Sequence, residues 1–235
     1  MIDLKTLTKA EILERAKWKC PVPGHSKHDG LAHPRCYEKL KAAYTGERIG
    51  FLDIESEDLK ADYGIMFCWC VLDAQTNEIK KDIINADDIK KGSSKKRDVA
   101  PTEDKRIVQS LIDCMSNYDR VVAHYGSRFD LPFIRTRAVI CGLDFPTYGL
   151  LNQTDTWIIL KNKFKLSRNS LMNATLKLLG STRKDFLSHS IKHGCLRGEE
   201  WALKDSLVHC ENDVKDLRDL YNKIHGFMRK TNSSI

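Results

Sequence analysis

The 235-residue sequence contains no long hydrophobic run. A helix that crosses a membrane needs about 20 consecutive apolar residues, and no stretch of this chain approaches that length. The first residues, Met1 to Lys5, also lack the basic-then-apolar order of a secretion signal. We therefore expect a cytoplasmic protein without a membrane partner.

Internal repeats and a compact set of paired cysteines are absent as well. The 8 cysteines are spread through apolar segments, so we expect reduced core residues or metal ligands rather than a disulfide framework. The hydrophobic content of 41% suits one α/β domain with a small appendage. The net charge of +7 is a modest basic excess, which favours a polyanionic partner without requiring one.

Helix and strand signals divide the chain near Gly46. Residues 1–46 are predicted to form a helical segment, with one helix that begins at a Thr8–Glu11 capping box and another that begins at Pro34. Residues 47–235 are predicted to form an α/β domain with a mixed sheet flanked by helices. Its predicted strands are 49–54, 64–72, 78–84 and 120–124, and its predicted helices are 103–116, 131–141, 155–161, 170–179 and 203–228.

Two carboxylates stand at the end of the first predicted strand. Asp53 and Glu55 are two residues apart, so both side chains point to one face of the sheet. Such a pair repels itself and loses hydration, and a bound divalent cation removes both problems. The alternative is a strand end that emerges into solvent, where this pattern is ordinary.

Two further carboxylates lie on predicted helices. Asp130 follows a strand and a short turn, where it can serve as a helix N-cap, a metal ligand, or both. Asp213 lies on the last helix, four residues after His209, so these two side chains are neighbours. Their row is about 100° from the apolar stripe of the helix. It therefore either overlooks a cleft or forms an exposed pair.

Three segments together resemble the motifs of the DEDD 3′→5′ exonuclease superfamily, which has the ribonuclease H-like fold. They are FLDIE ending at Glu55, VAHYGSRFD ending at Asp130, and HCENDV ending at Val214. The resemblance covers residues 47–225 and is closest to the tyrosine-type branch of proofreading and ribonuclease D-like enzymes. This chain has His209 at the tyrosine position of that branch and Tyr125 where the superfamily usually has asparagine.

The resemblance implies a two-metal-ion phosphodiester hydrolase that uses Mg²⁺ or Mn²⁺. Asp53, Glu55 and Asp213 would hold one ion, and Asp53 and Asp130 the other. His209 would be the general base, because the reference pKa of histidine, ~6.5, suits that role. The substrate would be a single-stranded 3′ end, with DNA favoured. The alternatives are an RNA exonuclease and a catalytically silent module that binds nucleic acid or a protein.

Basic and aromatic residues near these motifs are candidate nucleic-acid contacts, since phosphates and stacked bases call for such a composition. The segment between Lys161 and Arg168 could equally be a solvated helix end with a core phenylalanine, and the loop 90–98 has a similar composition. The resemblance also includes Asp155, which we expect to cap a helix rather than bind metal. The candidate contacts are Tyr125, Arg128, Phe129, Lys161, Lys163, Lys165 and Arg168.

The N-terminal segment contains closely spaced cysteines and histidines. We predict Cys20, His25, His33 and Cys36 as ligands of a structural Zn²⁺, with His28 as a spare. The segment has little apolar content, and a tetrahedral ion could order it. The alternative is a histidine-containing loop with Cys36 packed in a helix.

Overall fold

A computed structural model describes residues 7–18, 20, 29–40, 47–92, 100–147, 149–228 and 233–234. The chain divides into two compact units, Met1–Glu47 and Arg48–Ile235. In the part of the chain that the structure describes, no helix is both long enough and apolar enough to cross a membrane.

The first unit contains two short helices, α1 (Lys9–Lys17) and α2 (Pro34–Leu40). Helix α1 begins at the predicted capping box: the Glu11 backbone N–H donates to the Thr8 hydroxyl, and the Thr8 backbone N–H donates to the Glu11 carboxylate at 2.8 Å. Trp18, Cys20 and Tyr37 form a small core against which Cys36 packs.

The second unit is built on a mixed six-stranded sheet in the order β3-β2-β1-β4-β5-β6. The first three strands form an antiparallel meander, as predicted, while β4 runs parallel to β1 and β5 runs parallel to β4. The strands are β1 (Ile49–Ser56), β2 (Met66–Asp73), β3 (Ile79–Ile83), β4 (Arg120–Ala123), β5 (Asn152–Asp155) and β6 (Ser233–Ser234).

Helices cover both faces of this sheet. Leu52 and Ile54 of β1 belong to one hydrophobic cluster and Phe51 to a second, as expected from the alternation of side chains along a strand. The predicted α/β class with a mixed sheet flanked by helices is therefore confirmed. The helices are α3 (Ala86–Gly92), α4 (Lys105–Met115), α5 (Asp130–Ile140), α6 (Thr156–Lys163), α7 (Leu171–Leu179), α8 (His189–Leu196) and α9 (Glu200–Ile224), which a 3₁₀ turn (His225–Phe227) extends.

A buried ion pair fixes α5 against the sheet. The Arg137 side chain is 0% exposed and donates to both oxygens of Asp104, at 2.9 and 2.6 Å. Arg137 also donates to the Ala61 carbonyl at 3.0 Å, and the Met66 backbone N–H donates to Asp104 at 2.9 Å. Because α5 begins at Asp130, this pair also sets the position of a candidate site residue.

Some elements were missed or shifted in the sequence-based prediction. Strand β5 reads Asn-Gln-Thr-Asp, so its pairing with β4 rather than an apolar alternation makes it a strand. Helix α8 contains a glycine and too few apolar residues to show a stripe. Helix α3 includes the start of the predicted loop 90–98, and residues 93–99 lie outside the described part of the chain.

Candidate active site

Three of the four predicted carboxylates converge between β1 and α9. One oxygen each of Asp53, Glu55 and Asp213 lies within 4.8 Å of the others. Asp53 and Glu55 share a face of β1 with Phe51, which packs in one hydrophobic cluster with Cys210 and Val214 of α9. The next turn of α9 brings Asp213, 1% exposed, into the group. The exposed-pair alternative for His209 and Asp213 is therefore wrong.

Asp130 lies beside this group, as the buried first residue of α5. Burial raises the pKa of its carboxyl well above the usual range, and the charge of Asp53 raises it further. The turn before it is tight: a Cβ on Gly126 would lie 2.3 Å from the Ala123 Cβ and 3.6 Å from Asp130 Oδ2. Glycine is required there because the chain must pass this close.

The clustered carboxyls have perturbed affinities for protons. Burial raises the pKa of Asp53 to about 6, while the charge of Lys184 opposes the shift. Burial, and then the charge of Asp53, raise the pKa of Glu55 to about 8, with Lys184 and Lys192 opposing it. Two buried oxygens, Asp53 Oδ2 and Asp213 Oδ1, have no hydrogen-bond partner among the described residues. The group therefore offers a cation two acceptor oxygens that make no hydrogen bond to the described residues.

An ammonium group reaches this cluster from the segment between α7 and α8. Lys184 forms an ion pair with Asp213. Asp216 of α9 holds the segment in place by accepting from the Thr182 hydroxyl at 2.7 Å and the Arg183 backbone N–H at 2.8 Å. Sequence reasoning missed Lys184 because this irregular segment carries no periodic pattern and no motif.

His209 is buried at 8% exposure, one turn before Asp213 on α9. Its Nε2 lies 2.7 Å from Asp185 Oδ1, a carboxylate carried by the same α7–α8 segment. Asp185 was also missed from the sequence. The imidazole thus has an acidic neighbour on the α7–α8 segment.

Asp155 caps α6, as predicted, and organises the turn before Asp130. Its Oδ1 accepts from the Trp157 and Tyr125 backbone N–H groups, each at 2.9 Å. Its Oδ2 accepts from the Ser127 backbone N–H at 3.1 Å and from the Ser127 hydroxyl at 2.5 Å. The carboxylate is fully used in these contacts, so Asp155 is a structural residue.

His124 of the second motif also has a structural role. Its ring nitrogens lie 2.9 Å from the Thr156 hydroxyl and 2.8 Å from the Asn169 carbonyl. Burial lowers the pKa of His124 to about 4, so the ring is neutral near pH 7. It joins α6 to the loop before α7.

The candidate nucleic-acid residues differ in exposure. Phe129 packs against the hydrophobic core and lies 5.6 Å from the Phe133 ring, and Phe164 packs 5.3 Å from Phe227. Their roles in binding, and those of the more open residues, stay predictions. The exposed candidates are Tyr125, Arg128, Lys161, Lys163, Lys165 and Arg168.

The predicted zinc ligands are described only in part. The Cys36 Sγ lies 3.8 Å from His33 Nδ1, and Cys20 lies in the small core of the first unit. His25 and the spare His28 fall outside the described residues. Within the described ranges, the only group of three close ligand atoms is the carboxylate group of β1 and α9. The zinc site stays a prediction.

The fold and its acidic cluster define a class of protein. The family model of the RNase H superfamily matches residues 50–225, so the chain belongs to this superfamily and the predicted ribonuclease H-like fold is confirmed. Membership and an acidic cluster of this kind are consistent with a nuclease that acts on nucleic acid with divalent metal ions.

A comparison with solved structures finds a similar fold in a DNA polymerase. The chain is similar to the family B DNA polymerase from the hyperthermophilic archaeon Pyrobaculum calidifontis, with a TM-score of 0.59 and 14% identity. The match covers 77% of this chain and 25% of the polymerase, so the chain spans about a quarter of that protein. At this identity the likeness shows the fold alone. No curated protein matches the sequence.

Proposed function

We propose that this protein is a metal-dependent 3′→5′ exonuclease. It hydrolyses phosphodiester bonds in single-stranded nucleic acid, with DNA preferred over RNA, and releases nucleoside 5′-monophosphates. The observation that carries the proposal is the group of Asp53, Glu55 and Asp213 within 4.8 Å, beside Asp130. Such a concentration of negative charge destabilises the protein unless it serves a cation.

The donor set fits hard divalent cations. All four groups are carboxylates, which suit Mg²⁺ and Mn²⁺ rather than softer metals. Asp53 Oδ2 and Asp213 Oδ1 are buried acceptors with no hydrogen-bond partner among the described residues. Asp53, Glu55 and Asp213 would hold one cation, and Asp53 with Asp130 a second. When bound, the cations would supply Lewis acidity to the scissile phosphate and lower the pKa of a water molecule.

The protein's own residues would orient the reaction and move the proton. His209 takes a proton from the attacking water, and Asp185, 2.7 Å from its Nε2, limits the positions that the imidazole can adopt. Lys184 balances part of the negative charge through its ion pair with Asp213. The basic residues between Lys161 and Arg168 are exposed and would contact the phosphates of a single strand.

Release of mononucleotides from 5′-labelled oligomers tests the proposal. We expect Mn²⁺-dependent shortening of single-stranded DNA from the 3′ end, slower shortening of duplex DNA, and none in EDTA. Matched DNA and RNA oligomers, digested side by side, decide the sugar preference. Faster loss of RNA would make the protein an RNA exonuclease. Binding without any hydrolysis would make it a catalytically silent ribonuclease H-like module.

We also propose a structural Zn²⁺ in the first unit. The 3.8 Å separation of Cys36 Sγ and His33 Nδ1 supports two ligands on one ion, with Cys20 and His25 to complete a tetrahedron. Elemental analysis should find about one zinc per chain, and Cys20→Ser/Cys36→Ser should lose it. Equal zinc in both proteins would mean that this segment does not bind the ion.

A further inference from the structure

Two aromatic rings and two cations form a surface group beside the carboxylates, which we call the Trp157 cluster. The Tyr125 and Trp157 ring centroids are 5.1 Å apart, and the ring planes meet at 74°. Arg128 Cζ lies 6.0 Å and Lys161 Nζ lies 5.0 Å from the centroid of the Trp157 ring. Tyr125 is 40% exposed. The cluster therefore presents aromatic surface and positive charge together.

The backbone N–H groups of both aromatic residues bind the same carboxylate oxygen. Asp155 Oδ1 accepts from the Tyr125 backbone N–H and from the Trp157 backbone N–H, each at 2.9 Å. Ser127 donates to the other oxygen and secures the turn on its far side. The backbones of the two aromatic residues are thus fixed before any ligand binds, which lowers the entropic cost of ordering the site on binding.

Tyr125 adopts a backbone conformation that tyrosine disfavours. Its φ is +66°, in the left-handed region that glycine and asparagine enter more easily. The Tyr125 side chain is not buried in the core in this conformation, since 40% of the residue is exposed. Strained residues of this kind concentrate at ligand sites, where the bound state uses the side chain.

The cluster adjoins the proposed cation site. Gly126, the next residue, lies so near Asp130 that a Cβ on it would be 3.6 Å from Asp130 Oδ2. The Leu131 backbone N–H also donates to the Gly126 carbonyl at 3.0 Å. A chain whose phosphate lies at Asp130 would therefore place one of its neighbouring nucleotides near Tyr125.

The chemistry of the cluster selects its ligand. A nucleobase offers a flat π surface to aromatic side chains, and its flanking phosphates attract arginine and lysine. An apolar peptide would use the rings but leave both cations without partners. We infer that Tyr125 and Trp157 form a stacking platform for one nucleobase of a single strand, and that Arg128 and Lys161 bind the adjoining phosphates. This inference rests on the proposed function, because it deepens that site.

Binding of fluorescein-labelled single-stranded DNA, followed by anisotropy in an Asp53→Asn background to prevent hydrolysis, tests the platform. Trp157→Ala should weaken binding about 5- to 150-fold, the range for loss of one stacked base. Tyr125→Asn should also weaken it while retaining the turn, because asparagine tolerates the backbone conformation, and Tyr125→Phe should bind normally. Trp201→Ala is a matched control, since Trp201 is an exposed tryptophan at the start of α9.

Oligomers that lack a single base locate the contact. In the protein that retains Trp157, an oligomer with one abasic position near the 3′ end should bind more weakly than the intact oligomer. In Trp157→Ala, the abasic and intact oligomers should bind almost equally. The platform would be overturned if an abasic position weakened binding by the same factor with and without Trp157, wherever it lies in the oligomer. Unchanged binding by both Trp157→Ala and Tyr125→Asn would also overturn it. Neither result touches the proposed function, which fails only if the unmodified protein shows no metal-dependent hydrolysis.

Discussion

Asp104 and the carboxylate group of β1 and α9 differ in how their oxygens are hydrogen-bonded. Asp104 is fully buried, and its oxygens accept from Arg137 and from the Met66 backbone N–H. Asp53 and Asp213 are crowded with Glu55, and each retains a buried oxygen without a hydrogen-bond partner among the described residues. A buried acid with a structural role is satisfied within the protein. A carboxylate group that keeps buried oxygens without a hydrogen-bond donor, even with Lys184 paired to Asp213, indicates a ligand.

The largest expected effect is the loss of nuclease activity when one carboxylate of the Asp53, Glu55 and Asp213 group loses its charge. Asp53→Asn should lower nuclease activity by about 10³-fold or more, because several kcal/mol of cation-dependent stabilisation of the transition state are lost. Glu55→Gln, Asp130→Asn and Asp213→Asn should behave alike, with the fold retained by circular dichroism. Asp62→Asn, at an exposed site, is the control. Full activity in Asp53→Asn, or undiminished activity in EDTA, would contradict the assignment.

The next largest effect is expected from His209, the proposed general base. His209→Ala should lower turnover about 10²- to 10⁴-fold, the usual range for a positioned acid–base group, with metal affinity nearly unchanged. His209→Tyr should retain measurable activity, because tyrosine occupies this position in the branch that the sequence resembles. The measurement is a pH–rate profile at saturating metal, with His193→Ala, at an exposed position of α8, as control. An identical profile and rate in His209→Ala would make His209 a bystander.

Substitution in the Arg137–Asp104 pair should lower the stability of the fold. Arg137→Met leaves Asp104 buried without its ion partner, so the free energy of unfolding should fall by about 3–5 kcal/mol. Arg106→Met removes a more exposed arginine that pairs with Asp82 and Asp88, so it should cost only about 1 kcal/mol. Urea unfolding of both variants measures the contrast. Equal losses would mean that burial does not distinguish the two sites.

The sequence predicted one group of acids better than the surroundings that position it. Asp53, Glu55 and Asp213 lie in short motifs on a strand and a helix whose periodicity predicts which face each side chain takes. Lys184 and Asp185 reach the cleft on an irregular segment fixed by Asp216, a tertiary contact with no local signal. Strand β5 was missed for the same reason, because pairing with β4 rather than its composition defines it.

The smallest expected effect is on the free energy of unfolding of the metal-free protein, which the crowded carboxylates lower. Burial and Asp53 raise the pKa of Glu55 to about 8 in the folded protein, whereas an unfolded glutamate has a pKa of ~4.3. Between these values the folded state binds the extra proton. The free energy of unfolding of the metal-free protein should therefore fall as pH rises from about 5 to 8.

Glu55→Gln sharpens this last contrast because glutamine carries no proton to lose. In EDTA, the variant should be more stable than the unmodified protein at pH 8.5, by about one to a few kcal/mol, and nearly equal to it at pH 4. Adding Mn²⁺ should reverse the order at pH 8.5, since the cation stabilises only the protein that binds it well. Glu78→Gln, at an exposed turn, should show neither change. A pH-independent difference between Glu55→Gln and the unmodified protein would mean that Glu55 is already satisfied, as Asp104 is.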